Sequence, residues 1–173
     1  MSKVFFTADL HFEHKAIHRY RPFNTAEEHH NTILDNILSV VGKNDTLWIL
    51  GDILFHPDGL HRLQTIADNV KVLRVVLGNH DIDSKYFVGV ADHVRAFTSY
   101  KHYWISHCPI HPQEMRGRKG NIIGHLHQNI VKDAQGHPDP QYYCVSLEQH
   151  NYKPVEFLTI KDQMEARLND LYK

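Results

Sequence analysis

The residues best suited to chemistry in this sequence are Asp, Asn and His side chains that follow short apolar segments. Five segments of this kind lead, in chain order, to Asp9, Asp52, Asn79, His107 and His125. His11 and His127 each come two residues after one of these positions, on the same side of an extended chain. Taken singly, each Asp is typical of a turn and each His of a hydrogen-bonded loop or core residue. Together they are donor types that bind borderline divalent metals, so the pattern favours a metal site.

The segments that precede these residues are rich in β-branched and aromatic side chains, which predicts buried strands. They cover residues 4–8, 46–51, 72–78, 103–106 and 121–124. In layered α/β domains, ligands gather at the carboxyl ends of such strands. We therefore expect side chains that are far apart in sequence to meet at one edge of the fold.

The remaining elements predict an α/β protein with two packed mixed sheets flanked by helices. A capping box at 25–28 begins a helix that Gly42 stops, and apolar spacing predicts a second helix over 60–70. After about Asp92 we expect strands at 93–98, 101–106, 119–123, 142–146 and 155–158. A last helix is predicted over 160–172, with Thr159 as its N-cap.

Composition bounds the class of protein. The 173 residues predict a single domain over 1–173, and 19 Lys+Arg against 20 Asp+Glu give no strong footprint for nucleic acid. Two cysteines form no disulfide framework, the N-terminus runs directly into a strand without a cleavable signal, and no apolar stretch is long enough for a membrane. We expect a cytoplasmic protein with no membrane partner; the oligomeric state is open.

Taken in order along the chain, these residues resemble the signature of the calcineurin-like metallophosphoesterase family. That signature is D-x-H, G-D, G-N-H-[DE], an isolated His and G-H-x-H, and all five blocks occur here in that order between Asp9 and His127. The resemblance is closest to small single-domain members of bacteria and phages, which share Arg21-Pro22-Phe23 and a later segment at 150–154. It implies a four-layer α-β-β-α sandwich, in agreement with the layers predicted above.

The resemblance also implies two divalent metal ions, roughly 3.5–4 Å apart as in other two-metal sites. Asp9, His11 and His127 would bind the first ion, and Asn79, His107 and His125 the second. Asp52 would bridge both. Nitrogen and oxygen ligands without a thiolate favour Mn, with Fe, Ni or Zn as alternatives.

The implied reaction is hydrolysis of a phosphate ester by a hydroxide that bridges the metals. His80 would be the general acid for the leaving alkoxide, and Asp81 would orient the His80 ring. His14, Arg19, Arg21, Arg116, Arg118 and Lys119 are the candidate phosphate contacts, although the charged loop at 116–119 is as typical of a solvated surface.

The expected substrate is a small phosphodiester, such as a nucleotide or cyclic nucleotide. The sequence lacks the Arg-Gly that protein phosphatases carry after the second block, and it lacks an insertion large enough for the capping domain of DNA-repair nucleases of this family. A phosphomonoesterase is the close alternative, and a non-catalytic binding module is a more distant one. Most other histidines, including His29 and His30, are expected at the surface, whereas Trp48 and Trp104 are expected in the core.

Overall fold

The computed structural model describes residues 2–170, and in this range the chain forms nine strands and three α-helices. The strands are β1 Val4–Thr7, β2 Thr46–Leu50, β3 Val72–Val76, β4 His93–Arg95, β5 Phe97–Tyr100, β6 Tyr103–Ser106, β7 Gly120–Ile123, β8 Tyr142–Cys144 and β9 Val155–Glu156. The helices are α1 Ala26–Val40, α2 Leu60–Asp68 and α3 Phe157–Asp170. Single 3₁₀ turns cover Ile17–Arg19, Pro57–Gly59, Ser84–Tyr86, Pro112–Glu114 and Leu147–His150.

The first sheet has the strand order β4-β3-β2-β1-β9. Its first four strands are parallel, and β9 pairs with β1 in the antiparallel sense. The parallel strands place their carboxyl ends at one edge. Helices α1 and α2 connect successive parallel strands, which is how parallel neighbours must be joined.

The second sheet has the order β5-β6-β7-β8. A tight turn joins the antiparallel pair β5 and β6, and β6, β7 and β8 are parallel. Because both sheets contain parallel and antiparallel pairs, the predicted mixed sheets are confirmed.

The layers follow from the two-residue alternation of the strands. On β2, Leu47 and Ile49 pack against α1 and α2, whereas Trp48 and Leu50 face the core between the sheets. Ile122 of β7 lies in that inter-sheet core together with Met164 of α3. The predicted arrangement of two mixed sheets flanked by helices is therefore confirmed.

The outer face of the second sheet is covered mainly by loop residues. Ile123 of β7 packs there with Met115, Ile110, Leu126 and Val131, which belong to the segments on either side of β7.

Helix α1 begins as the sequence predicts. Thr25 is the N-cap, and its hydroxyl accepts a hydrogen bond from the N–H of Glu28 at 3.0 Å. The Glu28 carboxylate bonds to the N–H of Asn24 rather than to that of Thr25, so the capping box is only half formed. The helix ends at Val40, and Gly42 lies just beyond it.

Several predicted elements have different boundaries in the structure. The strand expected at 155–158 ends at Glu156, because Phe157 already begins α3. The strand expected at 93–98 is divided, because β4 belongs to the first sheet and β5 to the second. The last helix begins at Phe157, so Thr159 lies inside it and is not its N-cap. The expected end of this helix at Tyr172 lies outside the described residues.

The described helices include none that is both long and apolar enough to cross a membrane. The single-domain boundary at 1–173 stays a prediction.

Candidate metal centre and pocket

The candidate site lies where strands of the two sheets end next to each other. The N–H of Asp9 donates to the carbonyl of Gly51 at 3.0 Å, which joins the ends of β1 and β2. The N–H of Gly124 donates to the carbonyl of His107 at 3.0 Å, which joins the ends of β7 and β6. The N–H of His125 reaches across to the Asp9 carboxylate at 3.0 Å and so connects the two sheets. The structure thus brings the predicted residues to one edge.

The backbone at this edge is strained. Left-handed φ angles occur at five of the seven predicted ligand positions, which are Asp9 (62°), His11 (50°), Asp52 (51°), His125 (68°) and His127 (52°). Residues other than Gly adopt this region at a cost, and such residues cluster at functional sites. The strained backbone turns these side chains toward a common point.

Two glycines allow the strand ends to approach closely. A Cβ atom at Gly51 would collide with the His107 ring and with the backbone of Gly78. A Cβ atom at Gly78 would collide with the Asp52 carboxylate. The Gly before Asp52 and the Gly before Asn79 therefore each have a steric reason.

The first group of ligand candidates is Asp9, His11 and His127, whose donor atoms lie within 4.8 Å of one another. Asp9 is fully buried, and its carboxylate accepts a hydrogen bond from the Ser146 hydroxyl at 2.6 Å. Burial raises the pKa of Asp9 to about 6. Burial, and then the nearby Arg21 guanidinium, lower the pKa of His11 to about 3, so its ring is neutral. A neutral imidazole is the form that binds metal.

The second group is Asn79, His107 and His125. The His107 Nδ1 lies 2.8 Å from the Leu50 carbonyl, and since a carbonyl only accepts, Nδ1 carries the proton. Its Nε2 lies 3.0 Å from Asn79 Oδ1 and 3.3 Å from His125 Nδ1. Burial lowers the pKa of His107, but hydrogen bonding to Asp52 and to the Leu50 carbonyl outweighs burial and raises this pKa, so Nε2 carries a proton where no metal replaces it. Several lone pairs directed at one point are stable only with a proton or a cation among them.

Asp52 lies between the two groups. Its Oδ1 is 3.4 Å from Nε2 of His107, and its Oδ2 is 3.9 Å from Nε2 of His11. Each carboxylate oxygen therefore faces a different group, which is the geometry expected of a bridging ligand. Burial raises the pKa of Asp52, but hydrogen bonding to His107 and to the N–H of His80 outweighs it and keeps the carboxylate ionised.

His80 is exposed and stands beside the centre. Its ring stacks on Phe55 with centroids 5.3 Å apart and planes 19° apart, and it lies 6.3 Å from the ring of His11. Its backbone N–H donates to Asp52 Oδ1 at 2.9 Å. The side chain is thus free to reach a bound molecule while the backbone N–H holds the Asp52 carboxylate.

The structure corrects the role expected of Asp81. Its carboxylate does not orient the His80 ring, because both oxygens accept from backbone N–H groups of the neighbouring strand ends. The donors are Gly78 at 2.7 Å, Ile53 at 2.6 Å, and Asp52 and Leu54 at 3.0 Å. Asp81 therefore holds the loop that carries Asp52 against the loop that carries Asn79.

Asp81→Asn should accordingly lower stability rather than imitate loss of His80. An amide NH₂ would face backbone donors, and each unsatisfied buried group costs on the order of 1–3 kcal/mol. We expect a lower midpoint of chemical denaturation and weaker metal binding, with unchanged sensitivity to the leaving group. Asp83→Asn is the matched control, because its exposed carboxylate accepts only the N–H of Lys85 from a backbone donor. An orienting role would regain support if Asp81→Asn left stability intact and made the rate steeply dependent on the leaving group.

A pocket of about 400 Å³ adjoins the first group. His14, Arg21 and His80 line it, as do Tyr20 and Phe55. The His14 ring packs edge-on against Phe55 with centroids 4.6 Å apart. Arg21 is buried, and the guanidinium bonds to protein groups on every side, so it is not a free phosphate contact.

The other basic candidates do not line this pocket. Arg116 is exposed and pairs with Glu114, and the Arg118 guanidinium lies over the Trp104 ring at 4.6 Å from its centroid. Lys119 pairs with Glu165 of α3. Arg19 is exposed on the 3₁₀ turn that precedes Tyr20.

Several residues of the site were not anticipated from the sequence. Glu148 lies behind His127, and Ser146 lies behind Asp9. His29 and His30, expected at the surface, are buried on α1, and His29 contacts Arg21 at 2.7 Å. Cys108 has its Sγ within 4.8 Å of donor atoms of His107 and His125. Only the position of Cys108 directly after His107 could have drawn attention to it.

Comparison with known proteins adds a family and two phage relatives. The family model described as Calcineurin-like phosphoesterase matches residues 2–167. The Gene 66 protein of Mycobacterium phage D29 is 35% identical over 204 aligned positions, which cover 99% of this chain and 98% of that protein. The Gene 66 protein of Mycobacterium phage L5 is 44% identical over 84 residues, which cover 47% of this chain and only 41% of that protein.

Solved structures show the same fold. A protein of unknown function, AQ665 from Aquifex aeolicus, superposes with a TM-score of 0.73 at 24% identity, covering 94% of this chain and 99% of that one. The nuclease MPE of Pseudomonas putida superposes with a TM-score of 0.50 at 20% identity, covering 72% and 61%. At these identities the likeness concerns the fold alone.

Proposed function

The chain belongs to the calcineurin-like phosphoesterase family, and from this premise we propose that it hydrolyses a small phosphodiester at a centre of two divalent metals. The family identified from the sequence motifs is thereby confirmed; the substrate and the number of metals are the proposal. The observation that carries it is the position of Asp52, whose two carboxylate oxygens face two separate groups of nitrogen and oxygen donors.

The donor set fits a pair of metal ions. Within the described part of the chain neither ring nitrogen of His11 has a hydrogen-bond partner although both are buried, and a buried nitrogen without a partner is costly unless it has a ligand. Asp9, His11 and His127 would hold one ion, and Asn79, His107 and His125 the other. Imidazole, carboxylate and amide donors suit Mn, with Fe, Ni or Zn as alternatives.

When bound, the two ions would supply a water of lowered pKa and neutralise charge on the phosphate ester. The protein groups perform the remaining steps. The backbone N–H of His80 holds Asp52 in the bridging position, and the exposed His80 ring donates a proton to the leaving oxygen. The Nδ1 of His14 accepts from the N–H of Ala16, so Nε2 carries the ring proton and can donate it in a hydrogen bond to a bound phosphate.

The charge of the pocket favours a diester over a monoester. A monoester dianion needs more positive charge than a diester, yet the described residues that line the pocket include no unpaired Lys or Arg. Arg21 is neutralised by Glu148 at 2.7 Å. Phosphomonoester hydrolysis therefore remains the second candidate. The Pseudomonas putida neighbour is a nuclease, and cleavage of a nucleic acid is also diester chemistry.

The size and the lining of the pocket support a small substrate with a planar ring. A volume of about 400 Å³ lies in the range of small-molecule sites. Tyr20 is 72% exposed at its rim, and Phe55 forms its apolar wall. Exposed aromatic rings beside a phosphate site are suited to stacking on a nucleobase.

Tyr20→Ala should therefore impair nucleotide substrates selectively. Stacking on an aromatic ring is worth roughly 1–3 kcal/mol per base, so kcat/KM for a cyclic nucleotide should fall by roughly 5- to 150-fold. A dialkyl phosphate has no ring and should be hydrolysed as before. Steady-state kinetics on both substrates provide the measurement, and Tyr20→Phe is the control that retains the ring. Equal losses on both substrates would exclude the stacking role.

The function itself is tested by a matrix of mono-, di- and cyclic phosphates against Mn²⁺, Fe²⁺, Ni²⁺ and Zn²⁺. We expect diester hydrolysis with Mn²⁺ that is abolished by chelation and restored by metal. Faster hydrolysis of monoesters would establish the phosphomonoesterase instead. Metal binding without any hydrolysis would support the non-catalytic binding module.

A further inference from the structure

A buried ion pair lies directly behind the first group of ligand candidates. The Glu148 side chain is 6% exposed and the Arg21 side chain 1%, and they contact each other at 2.7 Å. Neither residue is one of the seven predicted metal ligands, and Arg21 was expected to contact phosphate rather than to support the metal site. We propose that Glu148 and Arg21 are positioning residues, which hold His127 and Asp9 in place and so strengthen metal binding at the site of Asp9, His11 and His127 only. This inference rests on the proposed metal centre.

Glu148 determines which nitrogen of His127 can bind. Its Oε1 lies 2.6 Å from His127 Nδ1. Arg21 also contacts this carboxylate at 2.7 Å, and the buried guanidinium beside it holds the carboxylate in its ionised form. An ionised carboxylate only accepts, so Nδ1 of His127 donates. The Nε2 lone pair then points toward Asp9 Oδ1, 4.0 Å away. A carboxylate behind a metal-binding histidine fixes its tautomer and orientation in this manner.

Arg21 connects this histidine to the second ligand of the group. Its Nε donates to Glu148 Oε1 at 2.8 Å, and its Nη2 donates to the backbone carbonyl of Asp9 at 2.8 Å. One rigid guanidinium thereby sets the distance between the strand end that carries Asp9 and the loop that carries His127. Lysine could not make both contacts in a fixed plane.

The remaining contacts of Arg21 hold the guanidinium in place. Its Nη1 lies 2.7 Å from His29 Nε2, which must be the acceptor because the guanidinium keeps its protons. Burial, and then Arg21, lower the pKa of His29 to about 2, in agreement with a neutral ring. Tyr152 lies under the guanidinium, and Phe23 packs on Tyr152 with centroids 5.1 Å apart. The sequence segments at 21–23 and 148–152 therefore pack together and hold the Arg21 guanidinium in place.

A positioning role of the Glu148–Arg21 pair and a merely structural role differ in their effect on metal binding. Loss of a structural ion pair would lower stability without choosing between the two sites. Loss of a positioning pair would weaken the site of Asp9, His11 and His127 and spare that of Asn79, His107 and His125.

The test is titration of the metal-free full chain with Mn²⁺ by isothermal titration calorimetry, comparing wild type with Glu148→Gln. We expect two sites in the wild type, and in the variant one unchanged site and one weakened by about 10- to 100-fold, the usual effect of removing such a partner. Asp58→Asn is the matched control, since it removes the carboxylate of an exposed Asp–His pair in which Asp58 lies 3.2 Å from His56. Two unchanged sites in Glu148→Gln would overturn the inference while leaving the proposed function intact.

A second measurement needs neither metal nor variant. Long-range ¹H–¹⁵N spectra of metal-free wild type, recorded where the ring is neutral, should show His127 protonated at Nδ1. Protonation at Nε2 would overturn the inference even if Glu148→Gln failed to fold. A wild type that bound no Mn²⁺ would instead refute the proposed metal centre, with the tautomer still deciding whether Glu148 orients His127.

Discussion

Asp52→Asn is expected to abolish almost all phosphodiester hydrolysis and to leave the protein folded. The carboxylate lies between two groups of donors, with one oxygen facing His107 and the other facing His11. An amide offers one oxygen and no charge, and Asp9 is the only other carboxylate among the seven ligand candidates. Two neighbouring cations would repel each other without a charge between them, so the variant should retain at most one ion.

Metal content per chain, determined by elemental analysis after removal of free metal, measures the first effect, and kcat on a chromogenic diester measures the second. Asp35→Asn, which removes an exposed carboxylate of α1, is the control and should match wild type in both. Far-UV circular dichroism reports whether the fold is retained. Two ions per chain together with near-normal turnover would refute the bridging role of Asp52.

The meeting of the ligand candidates could be predicted because it follows from the backbone. Asp9, Asp52 and Asn79 follow parallel strands of one sheet, and parallel strands end at the same edge. His107 and His125 follow parallel strands of the second sheet in the same way. The apolar segments that precede these residues, and the glycines before Asp52, Asn79 and His125, are visible in the sequence. Their binding of metal stays a prediction.

The position of Asp81 could not be predicted, because adjacency in sequence does not give the direction of a side chain. His80 and Asp81 are neighbours, yet the first points into the pocket and the second back onto the amides of Ile53 and Leu54. Whether the amides of Ile53 and Leu54 lie within reach of Asp81 depends on how closely the ends of β2 and β3 approach each other. That information appears only in three dimensions.

The roles of Glu148 and His29 in the site could not be predicted, because nothing in their local sequence indicates them. Glu148 lies 21 residues after His127 and 127 after Arg21. His29 follows a helix cap and has the polarity of a surface residue, but α1 presents it to the buried Arg21. Similarly, Arg118 lies between two ligand blocks in sequence but packs on Trp104. Such partners depend on tertiary packing, which overrides local polarity.

The divided strand at 93–98 has a similar origin. Its alternation of residues is compatible with one continuous strand, but β4 ends at Arg95 and β5 begins at Phe97 in the other sheet. A strand that changes sheets keeps its periodicity, so the sequence pattern does not reveal the crossing.

His80→Ala is expected to keep both metals and to lose activity in proportion to the basicity of the leaving group. The substitution removes the ring but retains the backbone N–H that donates to Asp52. A poor alkoxide leaving group requires a proton, and general acid catalysis is worth on the order of 10²–10⁴ in rate. A nitrophenolate requires little protonation, so the variant should recover much of its activity on an activated aryl ester. The measurement is kcat for a series of alkyl and aryl diesters, with metal content determined on the same samples.

His80→Asn separates proton transfer from hydrogen bonding, because an amide can donate a hydrogen bond but cannot release its proton. If the ring acts as the acid, His80→Asn should show the same steep dependence on the leaving group as His80→Ala. Partial recovery of alkyl ester hydrolysis in His80→Asn would indicate a contact with the bound phosphate instead. Loss of a metal in either variant, or equal losses on alkyl and aryl esters, would remove His80 from the general-acid role. Because the ring is exposed and its aromatic contacts are with Phe55 and His11 beside the pocket, its removal should disturb the core little, which makes the kinetic comparison direct.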